Sequence, residues 1–281
     1  MRAVTHPGPV AAERQEILPA EGRPVALTLG AGLPLEDAVA EAMAAEGLDG
    51  AWLEIEEAIV STLDYVIPAL SPDEDHVAWY SDIRSFGGPG RIEKLGMMVG
   101  REGGASFLHG HGLWAPAGGE IAMGHILAPR TMLAAPAVAR GTGLAGARFE
   151  RRPDEETNFT LFRPSGKERE AETADYALVR LAPNQDFSDA LDTACARLGW
   201  ESARVHGLGS LIGAAFEDGG TLDSLPTEFL ILDAEARAEG RTGPGPEIAI
   251  VGVEGGDIRS GALKRGGNAV LITAELLLER C

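Results

Sequence analysis

Three of the six histidines in the sequence, His109, His111 and His125, fall within one predicted β-hairpin. Side chains two residues apart on a strand point to the same face, so His109 and His111 would lie side by side, and His125 on the adjacent strand would complete a triangle. Three neutral imidazoles that leave a fourth position open are typical of catalytic zinc sites. The pattern therefore predicts an open site for a divalent metal, with zinc as first choice, although imidazole also suits nickel, iron and copper. The alternative is a set of hydrogen-bonded core histidines.

Four further residues could act beside such a metal. Glu120, in the predicted hairpin turn, is a candidate catalytic base. Glu54 and Glu56 share one face of a predicted strand and could orient a ligand histidine or accept a proton, which makes Glu56 the second candidate base. Arg91 could bind a substrate carboxylate through its planar guanidinium group, although for all four an exposed surface position is the alternative. The Gly-Gly-Pro-Gly run at 87–90 predicts a flexible turn and lacks the strand, lysine and helix of a phosphate-binding loop.

The elements that must position these residues occur twice along the chain. Residues 35–39 align with residues 187–191, and both stretches continue with the apolar spacing of an amphipathic helix that ends at a glycine. In each copy an apolar run precedes the helix, and an extended run and a hairpin follow it. The predicted strands are 25–29, 51–60 and 107–114 in the first copy and 176–181, 203–212 and 247–253 in the second, with hairpin turns that begin at Gly119 and Gly256.

The second copy keeps the predicted scaffold but lacks the histidines. Its equivalent positions are approximately Ala249, Val251 and Ala262. One metal site per chain follows, with the second copy kept for packing or for the walls of the pocket. A charged segment between the copies suggests a tail (1–15), a first domain (16–164) that holds the histidines, a linker (165–174) and a second domain (175–281). A single continuous α+β domain is the alternative.

The first copy resembles the plants-and-prokaryotes-conserved (PPC) domain, a module also found in plant AT-hook proteins. The resemblance rests on Phe107-Leu108-His109-Gly110-His111 through Gly119, on Gly124-His125-Ile126-Leu127, and on the strand with Phe149-Glu150-Arg151-Arg152 that follows. Residues 205–211 of the second copy resemble the family's glycine-rich strand end, so the likeness covers nearly the whole chain as a tandem pair. It implies an α/β (α+β) fold of two PPC-like domains, each a twisted, mostly antiparallel sheet with a packed helix.

The same resemblance implies zinc at the three histidines, assembly as a trimer and a DNA-binding label. The sequence departs from the family in three respects: it has no AT-hook, it has Glu54-Ile55-Glu56-Glu57 in place of a glycine-rich turn, and its second copy lacks the histidines. A pseudo-symmetric arrangement of paired modules could therefore replace the trimer.

The composition argues against several partners. The chain has 43 acidic and 24 basic residues, a net charge of −19, which disfavours nucleic acid and anionic membrane surfaces because both attract basic proteins. Its longest apolar stretches fall short of the roughly 20 residues that cross a bilayer. The N-terminal residues have no apolar core of a secretory signal, so we expect a cytoplasmic protein.

Together these features favour a metal-binding protein whose open site acts on, or senses, a small anionic molecule. A metal-dependent hydrolase or lyase is the enzyme class that such a site suggests, and whether the protein is an enzyme stays open at this stage. The alternatives are a PPC-type DNA-binding regulator and a non-catalytic oligomerisation module with structural histidines.

Overall fold

The computed structural model describes residues 2–238, 243–253 and 257–281, so Gly256 and the start of the second predicted turn lie outside the described residues. The described chain is mostly β-sheet with two α-helices and two short 3₁₀ turns. In chain order its strands and helices are β1 (Gln15–Leu29), α1 (Leu35–Ala45), β2 (Gly50–Val66), β3 (Pro68–Ala69), β4 (Trp79–Tyr80), β5 (Arg84–Glu102), β6 (Ala105–Pro116), β7 (Ala122–Ile126), β8 (Met132–Leu133), β9 (Ala137–Ala145), β10 (Ala147–Pro153), β11 (Thr160–Gly166), β12 (Tyr176–Leu181), α2 (Phe187–Arg197), β13 (Ser202–Leu211), β14 (Ala214–Ala215), β15 (Thr221–Leu222), β16 (Glu228–Asp233), β17 (Glu235–Arg237), β18 (Glu247–Val251), β19 (Ile258–Ala262) and β20 (Val270–Arg280).

The main strands pair in the same order in both halves of the chain. In the first half the order is β1, β9, β2, β5, β6, β7, and in the second it is β12, β20, β13, β16, β18, β19. All of these pairings are antiparallel. Strand β1 joins the two halves, because residues 15–20 pair with β12 while residues 21–29 pair with β9.

Both helices begin where the sequence spacing predicts. Helix α1 buries Leu35, Ala38 and Val39, and α2 starts after Asp186, whose carboxylate accepts a hydrogen bond from the backbone N–H of Asp189. This is the usual capping arrangement for the free N–H groups of a first helical turn. Shortly after each helix a glycine, Gly47 or Gly199, has a positive φ, which ends the helix in the left-handed conformation that glycine adopts without strain.

The two faces of the first-half sheet bury different side chains. Leu53 and Ile55 of β2 pack with α1, whereas Trp52 faces the opposite way. Trp52 belongs to an apolar cluster to which both halves contribute, and we call it the shared cluster. Its members are Ala20, Trp52, Met98, Met123, Leu144, Ala147, Phe149, Phe162, Tyr176, Leu178, Leu208, Leu230, Ala249, Val251 and Leu277. The two halves therefore pack against each other through a continuous apolar interface.

The glycine-rich run at 87–90 is part of a strand, which corrects the expectation of a flexible turn. Gly87 pairs with Thr62 and Gly90 with Val60, and the register between β2 and β5 shifts at that point. Gly88, which lies at the register shift, has a φ of 95°, so the run forms an irregularity within the strand that glycine accommodates without strain.

A partly buried ion cluster lies where the two halves of the chain meet. Arg180 of β12 is 1% exposed and donates to Asp154 (2.8 Å) and to Glu16 (3.0 Å). Arg163 of β11 donates to the same two carboxylates, at 2.7 Å and 2.5 Å. We call these four residues the seam cluster. It ties the start of β1 and the β10–β11 hairpin to the first strand of the second half.

No helix in the described part of the chain is long and apolar enough to cross a membrane.

Candidate metal centre

The three histidines converge as the sequence predicts. His109 and His111 lie on β6, and His111 pairs directly with His125 on β7. One nitrogen from each ring can be chosen so that all three lie within 4.8 Å of one another. The imidazoles stand on the face of β6 opposite to Leu108 and Trp114, which pack with α1. The cluster therefore lies on the side of the sheet that faces the second half.

The outer nitrogens of two histidines are held by the second half of the chain. The Nδ1–H of His109 donates to Glu275 Oε2 on β20 at 2.6 Å, and the Nδ1–H of His111 donates to the carbonyl oxygen of Phe229 on β16 at 2.8 Å. Metal-binding histidines usually donate their second N–H to a carboxylate or a carbonyl in this way, which fixes the tautomer and the orientation of the ring. In each ring the Nε2 atom is left to face the other histidines.

Two of these nitrogens have the spacing of ligands on one tetrahedral ion. His109 Nε2 and His111 Nε2 are 3.3 Å apart, and the nitrogens of all three rings lie within 4.8 Å of one another. Ligand nitrogens at zinc–nitrogen distances of about 2.0–2.1 Å stand about 3.3–3.4 Å apart in tetrahedral geometry. In addition, the buried His125 Nδ1 has no hydrogen-bond partner among the described residues. A shared cation would satisfy all three nitrogens.

Burial keeps two of the imidazoles neutral. Burial, with a smaller contribution from His109, lowers the pKa of His111 to about 3. Burial and the two neighbouring histidines also lower the pKa of His125 well below its ordinary value. Since only neutral imidazole can bind a metal, these rings are in the binding form at neutral pH.

A cavity of about 60 Å³ opens beside His109 and His111, large enough for a few water molecules or a small ligand. Tyr80 of β4 forms part of its wall, and its ring stands edge-on to that of His125 at 5.5 Å. Burial, with Glu228 and Glu275 nearby, raises the pKa of the Tyr80 hydroxyl. Besides the two histidines, the cavity is lined by Pro68, Ala78, Trp79, Tyr80, Phe159, Leu161, Gly209, Ser210, Pro226, Thr227, Glu228, Leu271, Ile272 and Thr273.

Glu228 is the acidic group in this lining. It is 6% exposed, its Oε1 lies 3.9 Å from His111 Nε2, and burial raises its pKa to about 8. Its other carboxylate oxygen has no hydrogen-bond partner in the described part of the chain.

The other predicted site residues lie outside the cavity. Glu120 is exposed in the turn between β6 and β7, beyond the end of the paired strands. Glu56 is exposed near Lys94, and Arg91 is exposed and pairs with Glu93. None of the three lines the cavity, because strand alternation and hairpin length carry them to the surface.

Glu54 shares the face of Glu56 but points toward the second half. It accepts a hydrogen bond from Trp52 Nε1 at 3.0 Å and lies 3.6 Å from His206 Nδ1. Burial acts to raise the pKa of Glu54, but contacts with His206, Trp52 and Lys94 outweigh it and lower the pKa to about 2. This pair belongs to the interface between the halves and not to the histidine cavity.

The sequence predictions did not include Glu275 or Glu228. Glu275 carries a detectable signal, since it is the one acid in the otherwise apolar and threonine-containing run 270–278. An acid in a strand that is buried on both faces needs a partner, and here the partner is His109.

The positions that correspond to the histidines in the second half hold apolar side chains. Ala249 and Val251 lie in the shared cluster. Ala262 pairs with Glu247, whereas Ala249 pairs with Ser260 and Val251 with Ile258. In the first half His111 pairs with His125, but in the second half Val251 does not pair with Ala262, so the predicted alignment is not reproduced by the strand pairing. The described residues contain one three-histidine group.

No family model matches the sequence, and no curated protein does. Several solved structures are similar to parts of the chain. A metal-containing protein from Archaeoglobus fulgidus is 22% identical, with a TM-score of 0.40 over 52% of this chain and 96% of that one. A structure from Ralstonia eutropha JMP134, named a candidate DNA-binding protein, is 14% identical, with a TM-score of 0.39 over 49% of this chain and 88% of that one. A PPC protein from Pyrococcus horikoshii is 19% identical, with a TM-score of 0.37 over 50% of this chain and 91% of that one. The solved structures to which this chain is similar thus include a plant- and prokaryote-conserved protein, matched over about half of the present chain.

Proposed function

We propose that the chain binds one divalent metal ion, with zinc as first choice, through His109, His111 and His125, and that this site acts on or senses a small molecule in the adjoining cavity. The observation that carries the proposal is the approach of His109 Nε2 to within 3.3 Å of His111 Nε2, with the opposite nitrogens of the two rings held by Glu275 and by the carbonyl oxygen of Phe229.

We further propose that the chain comprises two tandem domains, 16–164 and 175–281, joined by the linker 165–174. The first domain supplies the ligands, and the second supplies the groups that orient them and much of the cavity wall. The matching strand orders of the two halves support this division. The proposal requires no second chain, because one chain supplies every residue of the site.

When it is present, the ion would act as a Lewis acid and polarise an oxygen atom of the molecule in the cavity. The protein residues around it have separate tasks. The histidines would hold the ion. Apolar lining residues, among them Trp79 and Leu271, would exclude bulk water, and Tyr80 and Glu228 would be the polar groups nearest to the bound molecule. A hydrolase or lyase reaction is the chemistry that this arrangement would support.

Metal analysis tests the proposal. The purified chain, equilibrated with zinc and freed of excess, should retain about one equivalent, as expected for one three-histidine site. Replacing His109, His111 and His125 together with alanine should reduce this to background. His206→Ala is the matched control, since His206 is another partly buried histidine at the interface between the halves. Equal zinc content in the triple variant and the wild type would overturn the proposal.

Nucleic acid is the alternative partner, because the family that the sequence resembles carries a DNA-binding label. The net charge of −19 opposes it, because binding to the phosphate backbone depends on lysine and arginine. A gel shift that weakens steeply with salt would support this alternative.

A further inference from the structure

A row of aromatic rings leads away from the histidine cluster. It begins at His125, whose ring centre lies 5.5 Å from that of Tyr80. Trp79 follows at 6.4 Å from Tyr80, and Phe159 lies 5.6 Å from Trp79. These separations are within the range in which aromatic rings attract one another. Tyr80, Trp79 and Phe159 all line the cavity, so one of its walls is aromatic from the histidines outward.

The outer end of this row is exposed to solvent. Trp79, in the short strand β4, is 40% exposed. Nine large apolar side chains are exposed in the described part of the chain, and four of them lie between residues 70 and 83: Leu70, Trp79, Tyr80 and Ile83. Single exposed apolar residues are ordinary, but their concentration in a segment beside a cavity indicates a surface that another molecule covers.

The inner part of the cavity has polar groups. Leu271, Thr273 and Glu275 alternate along β20 and therefore share one face of this strand. Glu275 holds His109, whereas Leu271 and Thr273 line the cavity. Thr273 is 5% exposed, and its Oγ1 has no hydrogen-bond partner among the described residues. A polar group of a bound molecule at this depth would supply the missing partner.

We infer that the cavity binds a molecule with two parts, a polar group that reaches the ion at the histidines and a flat apolar ring that lies against Trp79. The cavity of about 60 Å³ accommodates a small polar group, so a larger molecule must extend to the exposed aromatic side chains. A flat ring is favoured over a flexible chain because aromatic faces attract each other beyond the burial of apolar surface. The inference rests on the proposed metal site and specifies the class of molecule that the site would bind.

Imidazole and benzimidazole are a matched pair of probes, because both can bind a metal through one nitrogen and benzimidazole carries an additional flat apolar ring. Cobalt(II), loaded in place of zinc, gives a visible spectrum that changes when a ligand reaches the ion. Titration with each probe gives two dissociation constants, whose ratio would be compared in the wild type, in Trp79→Ala, in Trp79→Phe and in Ile121→Ala. Ile121 is the matched control, because it is 55% exposed and does not line the cavity.

We expect the ratio of the imidazole to the benzimidazole dissociation constant to be roughly fivefold smaller in Trp79→Ala than in the wild type, because the added ring loses its stacking partner. The different basicities of the two probes affect every variant equally and cancel in this comparison. Trp79→Phe should keep most of the wild-type ratio, since phenylalanine retains a flat ring. Ile121→Ala should keep all of it.

Tryptophan fluorescence gives a second readout that does not depend on the cobalt spectrum. Trp52, Trp114 and Trp200 are at most 1% exposed, so acrylamide should quench mainly Trp79. Benzimidazole should protect Trp79 from acrylamide, and imidazole at the same occupancy should not. If acrylamide did not reach Trp79 before a probe is added, another copy of the chain would cover this ring, and the inference would be wrong.

An equal ratio in the wild type and in Trp79→Ala, or no spectral response of the wild type to benzimidazole, would overturn the inference while leaving the metal site intact. Failure of the metal site itself is seen earlier and separately, because the wild type would then show no cobalt spectrum before any probe is added.

Discussion

Replacing Glu275 with glutamine is expected to weaken zinc binding by roughly 10- to 100-fold, the usual effect of removing a group that orients a metal-binding histidine. Glu275 is 1% exposed and accepts the Nδ1–H of His109 at 2.6 Å. Glutamine has nearly the same shape but no charge, so the His109 ring would become less basic and its Nε2 a poorer ligand. Competition with a chromophoric chelator would measure the zinc affinity of both proteins.

A purely structural role for Glu275 would give a different result. Glu279→Gln provides the comparison, since it removes a carboxylate from the same strand at a distance from the histidines. The visible spectrum of the protein loaded with cobalt(II) in place of zinc supplies a second readout, because a change in ligand basicity shifts its bands whether or not the fold is weakened. Unchanged zinc affinity and an unchanged spectrum in Glu275→Gln would show that Glu275 does not position His109.

Replacing Asp154 with alanine is expected to lower the free energy of unfolding by about 3–5 kcal/mol, the cost typical of leaving one member of a buried ion pair without its partner. Asp154 is 2% exposed and accepts hydrogen bonds from Arg180, Arg163 and Thr157. Without it, the buried guanidinium of Arg180 would keep Glu16 as its ion-pair partner and lose the other. Urea denaturation of the wild type and the variant measures the difference.

Glu21→Ala is the control for this substitution, because Glu21 pairs with Arg169 at the surface, where ion pairs contribute less than about 1 kcal/mol. If Asp154→Ala lowers the free energy of unfolding no more than Glu21→Ala does, the seam cluster does not stabilise the fold as we expect.

The pH dependence of stability gives an independent check on Asp154. Burial acts to raise its pKa, but Arg180, Thr157 and Arg163 together outweigh burial and hold the pKa below its ordinary value of 3.8. A carboxyl with a lowered pKa in the folded state stabilises the fold fully above its unfolded pKa, and this stabilisation is lost as the pH falls through the folded value. The wild type should therefore lose stability on acidification below about pH 4, and Asp154→Asn should lose less.

The histidine cluster could be predicted from the sequence because it is local. His109, His111 and His125 lie in one hairpin, where strand periodicity and a short connection already determine which side chains meet. The helices at residues 35 and 187 were predictable for the same reason, since their apolar spacing and terminal glycines are local signals.

The second half of the site could not be placed in this way. Glu275 is 166 residues from His109 in the chain, and Phe229 is 118 residues from His111. No periodicity reports which faces of two sheets will pack together. Glu120 illustrates a different limit of sequence reasoning. It lies five residues before His125 in the sequence, which suggested that it would lie near the histidines. The β6–β7 hairpin extends past the histidines, however, so its turn and Glu120 lie at the surface.

The pairing of two similar halves within one chain has a consequence for how such a site can change over generations. In an assembly of identical subunits, every substitution appears on all sides of every equivalent contact. Here the two sides are separate stretches of sequence, so a substitution at His109 leaves the partner position at Glu275 untouched. One half can therefore keep the three histidines while the other keeps the acid that holds one of them, so that the two sides of the interface carry different chemistry.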